Sequence, residues 1–421
     1  MRSGLFLLFL MIAATGWGCA RHAARGRGCC PGALTDDALE IVERGTLPVD
    51  TARVERLPAV DGQLGYPRPP GNYHALSKAE CQCLAVRASQ LGNLFDGERR
   101  ALAAREDARH CSHEDNSLTY DVLRTAALEA RNRSAADALN IYYQLELNEA
   151  RHDLLGRSLN EVGAAVQNVD RLRGQGLKLP ADQDQFARRE FELRDQQVQV
   201  EGAVTQLDME LWQQIGMRPS VPYERLWPTD PLTVVVEPQD IEAEVQLGLA
   251  TRPEGGMLRR LRRSLDGDSL GSVRAALSQV SPLLGLAPPS SDCDGLFGLL
   301  GALRKLHEAQ RELPERRRQL NQYAQNREQE IAVEIREAAE MVDVRLRQVA
   351  LAKENLDQLA RRSADTEARA KTGGLNFADV STARLATLQA EGDLLEKVVH
   401  WKIAQVRLAQ AQGALVAECC P

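Results

Sequence analysis

The feature that most restricts this chain is a helical pattern running without a break from Ser117 to about Arg173. Its apolar residues recur at steps of three and four: Ala136, Leu139, Tyr143, Leu147, Ala150 and Leu154, then Val162, Val166 and Val169. That spacing lays a heptad-like seam along one face. About 57 residues rising about 1.5 Å each make a helix roughly 85 Å long, which a single-domain globular enzyme rarely needs. A helix of this kind takes most of its stability from packing along its seam, so it needs a partner. Gly174, Gly176 and Pro180 end the run, and a second helical pattern extends from about Ala181 to Gly216.

The scheme then repeats. Ahead of the first long run, Ser77-Lys78-Ala79-Glu80 is a capping box that opens a helix reaching about Glu106, and Asp107 to Asn116 is a polar turn. A linker from Pro219 to Pro238 holds one β-like run, Leu232 to Val236. Shorter helices follow over Asp240 to Leu249 and Glu254 to Leu284, and then an irregular stretch, Leu286 to Asp294, with Pro288 and Pro289. A second long run starts near Gly295, meets Pro314 and continues to about Ala370. Its seam includes Ile331, Ile335, Ala338, Val342, Leu346, Val349 and Leu356. Gly373-Gly374 breaks it, and a last helix covers Phe377 to Leu415. In each copy the two shorter helices together match the long one in length. Stacked end to end beside it they make a continuous two-ply rod, and the duplication is the sign of a repeat assembly.

Composition agrees. Of 421 residues 43% are hydrophobic but only 4% aromatic, a profile of long helices rather than of a β-sandwich or an aromatic-girdled barrel. The formal charge of -7 and the lack of a long basic block argue against nucleic acid as a partner. At the N-terminus Arg2 precedes an apolar run, Leu5 to Ala14, too short for the ~20 residues that span a bilayer but suited to a secretory signal. Gly16-Trp17-Gly18-Cys19 is similar to a lipoprotein cleavage box; Gly18 fits it, while Gly16 and Trp17 do not. Cys19 is therefore a lipidation candidate, with ordinary signal cleavage nearby as the alternative. The expected organisation is a signal peptide over 1–18, an irregular Arg-, Gly- and Pro-rich arm over 19–76, a first hairpin repeat over 77–218, a linker over 219–239, a second repeat over 240–415 and a tail over 416–421.

The breaks carry more information than the helices. Around the second one stand Arg369, Gly373, Gly374, Asn376 and Asp379, followed by a helix with Ala383, Gln389 and Glu391. This order of basic residue, glycine, polar helix starter and aspartate resembles the hairpin-tip signature of TolC-type outer-membrane efflux proteins. The first break, Arg173, Gly176 and Asp182 followed by Ala187-Arg188, is a looser version with about one residue inserted. The stretch ending Ala250-Thr251-Arg252-Pro253-Glu254 resembles that family's join between halves. The resemblance covers roughly residues 77 to 415. It implies an all-α protomer of two long coiled-coil hairpins and a homotrimer whose twelve helices form a tunnel across the periplasm. It further implies tips that meet a periplasmic adaptor (membrane-fusion) protein and an inner-membrane pump, at the outer membrane. Gly176, Asp182, Arg369, Gly373, Gly374, Asn376 and Asp379 would then serve adaptor docking or gating. Read as residues alone, they are equally helix caps. A glycine at 373 or 374 can take positive φ, Asn376 can cap the next helix, and Asp379 places negative charge in its first turn.

One departure matters. The family inserts two membrane-spanning β-strands between short and long helices in each half. Such strands need about ten alternating residues each, and neither Asp107 to Asn116 nor Leu286 to Asp294 supplies two. The transmembrane strands are thus expected to be missing, with a lipid on Cys19 as a substitute anchor. Two readings follow: a passive efflux-channel component exporting small molecules, or a lipid-anchored periplasmic coiled-coil scaffold without a pore.

No phosphate loop, nucleophile elbow or supported carboxylate pair appears, so no enzyme and no cofactor is expected. His110, Cys111, His113, Glu114 and Asp115 have metal-ligand chemistry but lie in one turn-sized stretch with no second cluster, and read as a polar turn. The nine cysteines form no zinc motif. They read as unpaired or opportunistically bridged; the alternative is one bridge at the rod's middle, where stacking the short helices along the long ones brings the start of the first helix (Cys81, Cys83) and the end of the last (Cys419, Cys420).

Overall fold

The structure is a computed structural model and describes residues 71–107, 117–175, 183–234, 240–263, 265, 298–372 and 377–419. The elements run β1 (Tyr73–Leu76), α1 (Lys78–Ala88), α2 (Gln90–Asp107), α3 (Ser117–Gly174), α4 (Gln183–Gln214), β2 (Arg225–Pro228), α5 (Ile241–Thr251), α6 (Pro253–Arg263), α7 (Gly298–Lys371) and α8 (Phe377–Ala411), closed by a 3₁₀ turn over Ala414–Cys419. The fold is all-α, two repeated long helical hairpins, with one two-stranded ladder added.

The duplication extends to local detail. Ser77 caps α1 by accepting from Glu80 N at 3.2 Å, and Asp240 caps α5 by accepting from Glu242 N and Ala243 N at 3.0 and 3.2 Å. Each hairpin ends on a glycine at positive φ two residues past its last helix, Gly216 (68°) after α4 and Gly413 (73°) after α8. The sequence pattern predicts one helix from Ser77 to about Glu106, but Ser89, at φ -51° and ψ 103°, divides it into α1 and α2. The break sits where α1 crosses Gly216 closely: a Cβ there would lie 2.7 Å from the Ala88 Cβ. The second repeat breaks at the matching place, Arg252 (φ -63°, ψ 124°) before Pro253, a residue pushed to extended geometry by the proline ring.

Tyr73–Leu76 belongs to the expected irregular arm but forms a strand, pairing in parallel with Arg225–Pro228, Tyr73 opposite Arg225 and Leu76 opposite Pro228. The strand in the linker thus precedes the β-like run that starts at Leu232. Beneath the ladder lies Tyr142 of α3, whose hydroxyl donates to Asp230 Oδ2 (2.9 Å) and accepts from Thr229 N (3.2 Å). Cys83 and Cys419 form a disulfide across this region, joining the first helix to the end of the chain, while Cys81 stays a buried thiol. Burial pushes the Cys81 thiol up to about 12.

The described residues fall into two compact units that cut across the repeats, each drawing on both. The smaller is built from Leu91–Leu128 and Pro253–Glu328, the larger from the described residues up to Gln90 with Glu129–Arg252 and Gln329–Pro421. In the smaller, Leu258, Leu261 and Leu265 pack on Leu320 and Ala324 of α7. In the larger, most of the predicted seam is core: Ala136, Leu139, Tyr143, Leu147, Ala150 and Leu154 on α3, and Ile331, Ile335, Val342 and Val349 on α7, are buried, while Val166, Ala338, Leu346 and Leu356 are half-buried. No described helix is long and apolar enough to cross a membrane. The two connections expected to lack membrane strands lie outside the described residues, apart from Asp107.

Candidate functional site

The candidate site is the part of the larger unit that approaches the hairpin tips, where α3, α4, α7 and α8 run side by side. The α3–α4 hairpin is closed by Val162 and Ala165 packing on Phe186 and Leu193, with Phe377, Ala378 and Leu385 of α8 against the same cluster. Apolar residues at heptad spacing make these contacts, so the hairpins are joined through α3 and α8.

A ladder of charged groups follows that junction. Arg151 reaches Glu396 at 2.5 Å, and Arg157 reaches Glu391 at 2.6 Å while holding Asp153 at 3.1 Å. Nearest the tip, the fully buried Ser381 donates to Glu161 Oε1 at 2.8 Å. Arg384 donates to Glu161 Oε2 (3.3 Å) and to Glu367 Oε1 (2.8 Å), so one guanidinium ties α8 to both α3 and α7. The hydrogen bond from Arg384 holds Glu367 below the usual carboxylate range. Residue numbers rise on α3 as they fall on α8, the mark of antiparallel packing. The rungs are partly exposed, so each contributes modestly to stability; the reversal of polarity at the third rung, where α3 carries the glutamate and α8 the arginine, fixes register more than it adds energy.

Between α3, α4 and α8 lies a groove of 580 Å³ with an apolar floor of Leu154, Leu193, Leu385 and Leu388 and a polar rim that includes Arg151, Arg189, Gln196, Gln389, Asp393 and Glu396. It holds no nucleophile with a supporting base. Its form, a long trough with mixed charges on the rim, suits a helix laid alongside.

Of the residues singled out at the tips, two are described. Arg369 is exposed, pairs with Asp365 at 2.8 Å, and through its carbonyl accepts from Thr372 N (3.2 Å) and Oγ1 (2.9 Å), closing the end of α7. Asp379 lies in the first turn of α8. Gly176, Asp182, Gly373, Gly374 and Asn376 lie outside the described residues, as do Cys19 and the group from His110 to Asp115. Sequence reading missed Glu161, Ser381, Arg384 and Glu367, because a charged residue on a helix face carries no sign of a partner on another helix. A serine and an arginine three apart near the start of α8 were the only available signal, and it is weak without the fold.

No family model matches the sequence, and no curated protein matches it. The fold does match solved structures. The Campylobacter jejuni CmeC outer membrane channel superposes with a TM-score of 0.56 over 80% of this chain and 85% of that one, at 12% identity. The outer-membrane channel OprN gives 0.50 over 70% and 69%, at 15% identity. The chain has the TolC-type fold. At that identity the likeness is one of backbone architecture. The TolC-type fold accounts for the α3–α8 junction: the two hairpins lie side by side, with their long helices in the order α4, α3, α8, α7.

Proposed function

We propose that the chain is a subunit of an outer-membrane efflux channel: a homotrimer forming a periplasmic tunnel through which small molecules pass without chemistry. A periplasmic adaptor protein would dock on the tips, at Gly176, Asp182, Arg369, Gly373, Gly374, Asn376 and Asp379, and an inner-membrane pump would supply the energy. The chain would reach this place by its signal peptide, with Cys19 as the lipid anchor. The organisation into two hairpin repeats, 77–218 and 240–415, joined by a linker is part of the same reading.

One observation supports assembly above the rest. Packing joins α4 to α3, α3 to α8 and α8 to α7, so the row begins at α4 and ends at α7. Both end helices carry large apolar residues on the outside. On α4 these are Phe191 (69% exposed), Val198 (67%) and Met209 (61%); on α7 they are Val333 (48%), Val344 (44%) and Leu351 (67%), with Met341 beside them. Laid antiparallel, α4 of one copy and α7 of the next bring Phe191 opposite Leu351, Val198 opposite Val344 and Met209 opposite Val333 in a single register. The same register sets Asp195 opposite Arg347 and Arg188 opposite Glu354. A contact between unlike surfaces repeats from copy to copy and closes into a ring when the rotation permits.

The test is cross-linking in membranes of the Val198→Cys/Val344→Cys double variant, followed by conductance of the product in a planar bilayer. A ladder ending at three chains, absent from either single variant, with discrete conductance steps supports the channel. Monomer alone rejects the interface. A trimer that never conducts supports the second reading, a scaffold without a pore, which the short, mostly polar sequence of 107–116 favours.

A further inference from the structure

The smaller unit carries a concentration of positive charge that the tunnel reading does not use. α6 and residues 311–328 of α7 hold nine arginines against four glutamates, an excess of +5 in a chain whose formal charge is -7. The cause is the helix period. Leu258 and Leu261 occupy one face of α6 and, with Leu265 just past its end, are buried against α7, so Arg262 and Arg263 are left on the outside.

The two segments run antiparallel. Glu254 meets Arg327 at one end (2.7 Å), Arg262 meets Asn321 further along (2.9 Å), and Arg317 reaches the Leu265 carbonyl at the other end (3.1 Å). Arg262 and Arg317 therefore spend these hydrogen bonds on neutral acceptors, and among the described residues no ion pair of either is seen. Arg263, Arg311 and Arg318 are exposed at the same end. The carboxylates lie elsewhere or are matched one to one, Glu312 with Arg316 (2.7 Å) and Glu315 with Arg318 (2.9 Å). A further group faces Asp121 of α3: Arg260 holds that carboxylate at 2.9 Å, and burial, then Arg260 and Arg99 against the opposing pull of Asp121, lower the neighbouring Arg124.

We infer that this end of the smaller unit is a docking face for an anionic phospholipid surface, a peripheral attachment of the chain to the membrane. The proposal rests on the reading that the chain works at a membrane. Its chemistry is the pairing of exposed guanidiniums, each a planar donor fork, with lipid phosphates. Guanidiniums projecting from a rigid helix pair can reach a plane of phosphates together. Each basic residue near an anionic bilayer is worth about a fivefold gain in partitioning, and the effect fades beyond the Debye length. A chain with net negative charge is repelled by such a bilayer as a whole, so binding to it requires a local patch of this kind.

The experiment uses the full mature chain with Cys19→Ser, so that no acyl chain contributes, in co-sedimentation with vesicles of phosphatidylglycerol and phosphatidylcholine or of phosphatidylcholine alone. The expected result is binding to the anionic vesicles only, falling severalfold as salt is raised from low to physiological strength. Arg262→Glu/Arg263→Glu/Arg311→Glu, checked as folded by circular dichroism, should lower binding about 100-fold or more by the same per-residue figure. The control Arg361→Glu/Arg362→Glu, an exposed pair on α7 in the larger unit, should bind as the parent does. Absence of binding by the parent, equal binding to both vesicle types, or equal loss in both variants overturns the proposal; absence of binding would mean that the chain's own carboxylates neutralise the patch. None of these outcomes bears on the Val198–Val344 cross-link, so this inference and the channel reading fail separately.

Discussion

Glu146 offers the sharpest test of the physics at the base of the helices. It stands on α3 one turn beyond Tyr142 and is 2% exposed, and its Oε2 has no hydrogen-bond partner among the described residues. Burial raises its carboxyl from 4.5 to about 8, the Asp230 charge adds to the rise, and Lys402 opposes it. Between those two values the folded chain holds a proton that the unfolded chain has given up. The folded state therefore binds more protons across that window, and stability falls as pH rises through it. At about 1.4 kcal/mol per unit, a rise of this size amounts to an ionisation penalty on the order of 5 kcal/mol above pH 8. Glu146→Gln keeps the shape and removes the titration. Melts followed by circular dichroism should show the wild type losing several degrees relative to the variant between pH 5 and pH 9. Lys402, whose ammonium is lowered chiefly by burial, titrates in both proteins and largely cancels in the comparison. Parallel melting curves across the range, or a variant that falls behind the wild type on going to pH 9, would refute the reasoning. The second outcome would mean that ionised Glu146 stabilises the fold through Lys402.

Two further predictions concern the packing of the ends. A Cβ at Gly248 would overlap the Cδ1 of the fully buried Ile335 and crowd the Gln412 Cγ at 3.3 Å, so Gly248→Ala should lower stability by roughly 1–3 kcal/mol, read from the thermal midpoint; an unchanged midpoint would mean that α5 has room to shift. Reduction of Cys83–Cys419, or Cys83→Ser, should cost roughly 2–5 kcal/mol. Peptide mapping after alkylation should find Cys83 and Cys419 modified only after reduction, while Cys81, buried and with its thiol raised to about 12, stays unmodified in the folded chain.

What could be read beforehand follows from how local each feature is. The seams of α3 and α7 were legible because a heptad stripe is a property of neighbouring residues. That the ends carrying Cys81 and Cys83 and Cys419 and Cys420 meet was legible from helix lengths, but which cysteines pair was not: the bridge is Cys83–Cys419. The β1–β2 ladder was not: four residues show no period, and Tyr73 finds Arg225 across 152 positions. The division at Ser89 escaped for a similar reason, since it answers to Gly216 of another helix.

The case of α4 shows where periodicity stops helping. Phe186, Leu193, Val204 and Leu211 are spaced by seven, eleven and seven, and Phe191 and Val198 by seven with Met209 eleven further on. Both sets are seams by spacing, and nothing in the sequence ranks one above the other. Packing against α3 and α8 buries the first set and leaves the second more than 60% exposed. A helix with two seams needs two neighbours, and this chain supplies a neighbour for one face. The exposed stripe of α7 runs with the same intervals reversed, which is what an antiparallel partner requires. A reader of the sequence could find both stripes and their spacing, but could learn that they face outward at opposite ends of the row only from the order in which α4, α3, α8 and α7 pack. That order turns two surplus seams into a specific expectation for how copies meet.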